Sequence, residues 1–209
     1  MQKKDGETRE SILWQMQDRL MSKSTYWGIQ TLKCPVDFWV YQEILFSIKP
    51  DFVIEIGNFH GGSALAIAHI MDNLDKGQIL AIDIDQSKIE EEARKHPRIG
   101  WIEEDAKVCF QEVESSIPSD STVLVIEDSS HEFENTLTVL SLYSQLVSLG
   151  SYMIVEDSIC HHGLEVGPSP GPYEAIEKFL TQTPDFEVDK ACEGFGITWN
   201  PNGYLRRVR

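Results

Sequence analysis

Positive charge is scarce in this chain: Lys and Arg number 18 against 34 Asp and Glu, for a net charge of −16. The basic residues that cluster at all are Lys3-Lys4 and Arg206-Arg207 with Arg209, which we read as solvated ends. Phosphate backbones bind by counterion release to a basic surface, so nucleic acid is not an expected partner. Cysteine is scarce too. Cys34, Cys109, Cys160 and Cys192 form no C-x-x-C pair, which argues against a zinc ribbon or disulfide framework and suits a reducing cytoplasm. No apolar run approaches the roughly 20 residues a membrane span requires. The polar N-terminus lacks the apolar core of a signal peptide, so the expectation is a soluble, cytoplasmic protein with no membrane partner. Repeats and low-complexity linkers are missing as well, and 209 residues suit a single domain that builds its core without staples.

What is present begins with Phe52-Val53-Ile54-Glu55-Ile56-Gly57-Asn58-Phe59-His60-Gly61-Gly62-Ser63. β-Branched Val53, Ile54 and Ile56 suit a strand buried on both faces, and the run from Ser63 to Leu74 has helical periodicity. Between them lies a glycine turn, where a missing Cβ allows positive φ and lets a ligand approach the backbone amides. The spacing E-x-G-x-x-x-G-G-S is not the dinucleotide fingerprint G-x-G-x-x-G, which counts against a nicotinamide-dependent oxidoreductase. An acid at Glu55 repels phosphate and suits the ammonium and sulfonium of S-adenosylmethionine. Glu55, Gly57, Asn58, Gly61, Gly62 and Ser63 are thus expected to bind that cofactor. A plain strand-to-helix turn is the alternative.

Residues 9–22 carry Ile12, Leu13, Met16, Leu20 and Met21 at helical spacing, an arm that docks on the body or on a second copy and leaves room for a homo-oligomer. An irregular stretch through Trp27-Gly28-Ile29 and Cys34-Pro35 precedes a helix from Phe38 to Ile48. We assign residues 1–50 to a helical arm and cap and 51–209 to one globular unit. Strands are expected at 52–56, 79–82, 99–102, 122–126, 152–155, 186–189 and 204–208. Helical patterns separate the first five, and turn signals at Gly194, Gly196 and Asn200-Pro201-Asn202-Gly203 join the last two as a hairpin. The fold class is therefore α/β: a Rossmann-like, seven-stranded, mostly parallel sheet with one antiparallel strand and helices on both faces, as in class I methyltransferases. The irregular stretch 158–173 follows a strand's C-terminal end, and we expect it to act as a lid.

Ligands of open α/β sheets bind at the carboxyl ends of the strands, where this chain concentrates acids. Asp83 is placed to bind a ribose; Asp85 is the alternative, or a helix cap. Asp105 and Ala106, after Glu103-Glu104, suit an adenine edge. Asp128, Glu156 and Asp157 emerge from neighbouring strands and supply three hard oxygen donors, half of an octahedral Mg²⁺ shell. His131 stands close enough to take a proton from an acceptor hydroxyl, although a lone histidine is as readily structural. His60, His161 and His162 are weaker candidates.

With those residues in view, the chain resembles the family of magnesium-dependent O-methyltransferases that comprises cephalosporin hydroxylase-like proteins and rhamnosyl O-methyltransferases. The resemblance rests on Trp27 with Pro35-x-Asp37, the turn EIGNFHGGSA, IDID, EDSSH, VEDS, GPSPGP and NPNGYLRRV, and covers most of the chain. It implies methyl transfer from S-adenosylmethionine to a hydroxyl of a sugar or small diol, with Asp128, Glu156 and Asp157 on the metal, His131 as base, and Glu55, Gly57 and Asp83 at the cofactor. Glu104, where the resemblance implies glycine, and Ser130, where it implies a second aspartate, depart from the pattern. A noncatalytic binding subunit that kept the fold is the rival, and the intact acidic set counts against it.

Overall fold

The computed structural model describes residues 8–209; Lys3-Lys4 lie outside them. In chain order the elements are α1 (Arg9–Lys23), β1 (Thr25–Tyr26), β2 (Ile29–Gln30), α2 (Pro35–Ile48), β3 (Phe52–Ile56), α3 (Gly62–Leu74), β4 (Gln78–Asp83), α4 (Glu91–Arg94), β5 (Ile99–Glu103), α5 (Ala106–Ser116), β6 (Val123–Glu127), α6 (Phe133–Tyr143), β7 (Tyr152–Val155), α7 (Pro172–Leu180), β8 (Phe186–Val188) and β9 (Tyr204–Arg207).

The main sheet has the order β5-β4-β3-β6-β7-β9-β8, with β9 antiparallel to both neighbours and the other pairings parallel. Alternation along the strands divides the core. Ile54, Ile56, Val125 and Met153 face α5, α6 and α7, whereas Val53, Leu124, Ile126 and Ile154 face α2 and α3. Small residues Ala64 and Ala68 bring α3 close to the sheet. No helix among the described residues is long and apolar enough to cross a membrane.

Register aligns the strand ends. Ile56 pairs with both Ile82 and Glu127, and Glu127 with Val155, so Gly57, Asp83, Asp128 and Glu156 leave the sheet along one edge. Because β3 is the first strand and its successors go to either side of it, that edge contains the switch point at which open sheets bind ligands.

Several expectations need correction. Trp27 and Gly28, at φ +51° and +86°, form a tight turn between β1 and β2, so the stretch read as irregular is a small antiparallel hairpin. Helix α2 starts at Pro35 rather than Phe38, since a proline in the first turn lacks only an N–H that would have had no partner. β8 and β9 do pair, but a 3₁₀ turn at Lys190–Glu193 interrupts their connection. Arg207 is no solvated end: its guanidinium donates to the carbonyls of Val147 at 2.5 Å and Gln145 at 3.2 Å, closing the turn after α6.

The stretch 158–173 and the arm α1 meet each other. Ile159 and Leu164 are buried with Leu13, Leu20, Cys34 and Trp199 in one cluster, which fixes α1 to the body. At the base of α2, buried Asp37 accepts hydrogen bonds from Thr198 Oγ1 at 2.6 Å, Trp199 N at 2.7 Å and Tyr204 Oη at 2.8 Å. These bonds tie the segment that follows β2 to the segment that precedes β9.

Candidate functional site

A cavity of about 460 Å³ opens at the carboxyl edge of β3, β4 and β6, within the range of small-molecule sites. Its first half is built from backbone. Gly57, at φ +91°, passes so close to the end of β6 that a Cβ there would sit 1.9 Å from the Asp128 carbonyl oxygen. Asp83 draws the turn inward, accepting from Asn58 N at 2.7 Å and, at 3.4 Å, from Phe59 N, while its other oxygen accepts from Asp85 N at 3.2 Å. A carboxylate facing several amides is well satisfied, and Asp83 still borders the cavity. Asp85 does not border it; it accepts from Ser87 N at 2.9 Å in a turn ahead of α4, and the expected helix at Ser87 is absent, α4 starting at Glu91 with Glu90 as its N-cap. Asn58, Gly62 and Ser63 line the cavity, as do Glu104, Asp105 and Ala106 beyond β5. Asp105 also caps α5 through Lys107 N at 2.8 Å.

Two members of the expected set lie elsewhere. Glu55 is fully buried and does not reach the cavity: it alternates with Ile54 and Ile56, so its carboxylate lies beneath the turn, where Asn58 Nδ2 donates to it at 3.2 Å and Oε1 has no partner. Burial pushes its carboxyl up to about 7, with Lys33 opposing. Gly61, at φ +84°, caps α3 and packs against Ala93, Trp101 and Ile89, away from the ligand space.

Side chains build the second half. Asp128 presents one oxygen, Oδ1, to His131 Nε2 at 3.0 Å and the other, Oδ2, to Lys33 Nζ at 2.5 Å. Asp157 Oδ2 lies 3.5 Å from the same imidazole nitrogen. Oxygens of Asp128 and Asp157 and a nitrogen of His131 come within 4.8 Å of one another, a donor set that fits a divalent cation. Glu156 is turned away from this group: it pairs with Lys33 and borders a smaller pocket beside Asp37 and Tyr41. His131 and Asp157 both adopt left-handed backbone, at φ +59° and +54°, a conformation that costs energy for a residue with a Cβ.

The charges form a balanced array. Burial alone would lower the Lys33 ammonium, but Asp128 and Glu156 beside it hold it above its ordinary value. Burial likewise lowers His131, yet its bond to Asp128 and the charge of Asp157 push it up to about 9. Lys33 and His131 keep Asp128 ionised against its burial, whereas burial and the Asp128 charge raise Glu156. Burial raises Asp157 to about 6, with His131 opposing.

Lys33 is the site residue that sequence reasoning missed. It borders the cavity from the segment between β2 and α2, 95 residues from Asp128. The available signal was a lysine between Leu32 and Cys34 in an otherwise apolar approach to a helix. No residue of 158–173 borders the cavity; Ile159 and Leu164 of that stretch brace α1. His60 lies 3.7 Å from Glu90, while His161 and His162 pair with Glu165 and Glu174, outside the cavity.

Residues 18–208 match the family model described as Rhamnosyl O-methyltransferase/CmcI. The rhamnosyl O-methyltransferase of Mycobacterium tuberculosis is 35% identical over 212 residues, covering 97% of this chain and 86% of that protein. The Mycobacterium leprae rhamnosyl O-methyltransferase is 34% identical over 213 residues, covering 97% and 91%. Among solved structures, a Mg-SAM form of CmcI superposes with a TM-score of 0.70 at 23% identity, over 90% of this chain and 78% of that one, a likeness of fold. With most of its length matched by the family model and two relatives above 30% identity, the chain belongs to the rhamnosyl O-methyltransferase/CmcI family.

Proposed function

We propose that this O-methyltransferase transfers the methyl group of S-adenosylmethionine to a hydroxyl of a sugar, with magnesium at the acidic half of the cavity. One observation carries the reading: a glycine turn pinned by Asp83 and a cluster of Asp128, His131 and Asp157 share a single cavity. The curated relatives are named for a rhamnosyl acceptor, which supports a deoxysugar or a similar vicinal diol here. Four unpaired thiols suit a reducing cytoplasm.

In this reading Asn58, Gly62 and Ser63 border the donor, and Asp83 accepts from its ribose hydroxyls. Asp105 and Ala106 border the base. Asp128 and Asp157 hold the cation, whose charge when bound favours ionisation of a nearby acceptor hydroxyl. His131 Nε2 takes the acceptor's proton. Asp128 and Asp157 face that nitrogen and favour a proton on it; were the two carboxylates neutralised by a bound cation, that attraction would weaken and His131 could accept the acceptor's proton. Methyl transfer demands little covalent chemistry of the protein, so alignment of donor and acceptor supplies much of the acceleration, out of the roughly 7–11 kcal/mol such effects reach.

Calorimetry of S-adenosylmethionine binding to wild type and Asp83→Ala, with Mg²⁺ and with EDTA, tests the donor site. Mass spectrometry of rhamnosides incubated with enzyme and donor tests the acceptor. We expect micromolar donor binding that Asp83→Ala weakens, and a gain of one methyl group that EDTA prevents. Absence of donor binding under both conditions would sink the reading.

A further inference from the structure

Helix α2 is apolar on two faces. Val40, Tyr41, Ile44 and Leu45 are buried in the core, while Trp39, Glu43 and Phe46, spaced four and three residues apart, form one outward stripe. Trp39 is 58% and Phe46 64% exposed, so two large rings stand in solvent two turns apart. The stripe is also poor in charge. Among the exposed residues of α2 and its C-cap only Glu43 and Lys49 are charged, and they cancel. Trp39 Nε1 donates to Glu43 Oε1 at 3.1 Å, and Lys49 Nζ stands 5.4 Å from the centre of the Phe46 ring. Other exposed apolar side chains sit among more charges: Ile84 between Asp83 and Asp85, Val108 beside Lys107, and Trp14 and Met21 on either side of Asp18 and Arg19. Cys192 packs against the same core cluster as α2, and Phe195, 59% exposed, follows it three residues later.

We propose that the outward stripe of α2 is the contact between two copies of this chain, packed antiparallel about a two-fold axis near Gln42 and Glu43. A two-fold contact must complement itself, and this stripe does. Turning α2 end for end sets Trp39 of each copy against Phe46 of the other, aromatic on aromatic twice over. It also brings the Gln42 amide of each copy to Glu43 of the other, whose Oε1 accepts from Trp39 and whose Oε2 is left for the amide. Two chains of net charge −16 repel, which favours contact through a surface that is locally neutral. Aromatics cover roughly 150–250 Å² each when buried whole, so the exposed parts of Trp39, Phe46 and Phe195 supply on the order of 350 Å², approaching half of the roughly 800 Å² per partner in a stable dimer. The arm α1 is already committed, since Leu13 and Leu20 are buried against its own body.

Sedimentation velocity of the full chain, from about 1 to 100 µM so as to span a micromolar Kd, tests this on wild type, Phe46→Glu, Trp39→Ser and, on the other helix, Trp14→Glu. Wild type and Trp14→Glu are expected to sediment as dimers at the upper concentrations. Phe46→Glu and Trp39→Ser are expected to stay monomeric throughout, a loss of at least about a hundredfold in affinity from a charge or a gap at the centre of the contact. The melting temperature of wild type should rise with protein concentration, and that of Phe46→Glu should not. Glu43→Cys, close to the axis, should be joined to its counterpart by a short bismaleimide, with wild type as the control for the four native thiols. That crosslink decides the matter even if a charge at position 46 prevents folding. A wild type that is monomeric at every concentration overturns the proposal. So does a dimer that survives both α2 substitutions, one that Trp14→Glu abolishes and Phe46→Glu spares, or a Glu43→Cys chain that crosslinks no more than wild type.

Discussion

The two halves of the cavity are made in different ways. Around Gly57 and Asp83 the groups that shape the ligand space are backbone amides and a missing Cβ, supplied by residues close to one another in sequence or on adjacent strands. Around Asp128 they are side chains, and the cation that joins them comes from 95 and 123 residues away. A backbone-built half tolerates changes of charge but not of shape. The side-chain half tolerates changes of shape but not of charge, since each member is held by the charge of another.

The largest effect should come from breaking the second half at its shared member. Asp128→Ala leaves Lys33 and His131 without a common partner, and we expect about a thousandfold loss of turnover from the missing charge stabilisation. Unfolding in urea should show a stability loss of about 3 kcal/mol from the weakened buried ion pairs.

Shape is the point of attack in the first half. Gly57→Ala forces a Cβ into the Asp128 carbonyl and a left-handed conformation onto alanine. The two penalties together amount to roughly 3 kcal/mol, read as a lower urea midpoint, with donor binding lost. A well-folded Gly57→Ala that binds donor normally would remove the distinction between the halves. His131→Gln keeps size and hydrogen bonding but cannot accept a proton as imidazole does. Turnover should fall about a hundredfold with the Kd for S-adenosylmethionine unchanged, checked by calorimetry beside initial rates. Loss of donor binding instead would place His131 in the wrong half.

Asp83→Asn is the mildest test of the first half. It retains an acceptor for Asn58 N but loses the charge, so the donor Kd should rise only about tenfold, the worth of a charge-assisted bond replaced by a neutral one. The smallest effect concerns Glu55. Its carboxyl sits at about 7 in the folded protein, above the unfolded value of 4.5, so the protonated form is the one that folding favours. That contribution to stability is complete below about 4.5 and is lost as pH rises through about 7. Glu55→Gln should therefore flatten the decline of the urea midpoint across that window by on the order of 1 kcal/mol, while donor affinity stays within about twofold because the side chain does not reach the cavity.

The same contrast explains what could be read from the sequence. The glycine turn, Asp83 and the alternation of strands and helices were legible because local periodicity and spacing encode them. So was the antiparallel β9, through the turn at Asn200-Pro201-Asn202-Gly203. Glu55 was misplaced because a motif of linear spacing says nothing of which sheet face a residue takes, although strict alternation with Ile54 and Ile56 put it opposite them. The hairpin β1–β2 was hidden by strands of two residues each, too short for a period to register. Lys33 was missed because its one local sign is a charge between Leu32 and Cys34, while the ion pairs that give it meaning are made with residues 95 and 123 positions away. Gly61 looked like Gly57 in the sequence, yet one glycine packs against Trp101 and the other against the end of β6.

The hub at Asp37 bears on how the protein is made. Its three donors lie 161, 162 and 167 residues further along the chain. The cavity wall carrying Lys33 thus has its anchor on α2 early in translation and the partners of that anchor only much later. Until Thr198, Trp199 and Tyr204 emerge from the ribosome, docking α2 through Val40, Ile44 and Leu45 would bury Asp37 without those three donors, at a cost that opposes the apolar gain. The wall that carries Lys33 is therefore completed only by the last dozen residues of the chain.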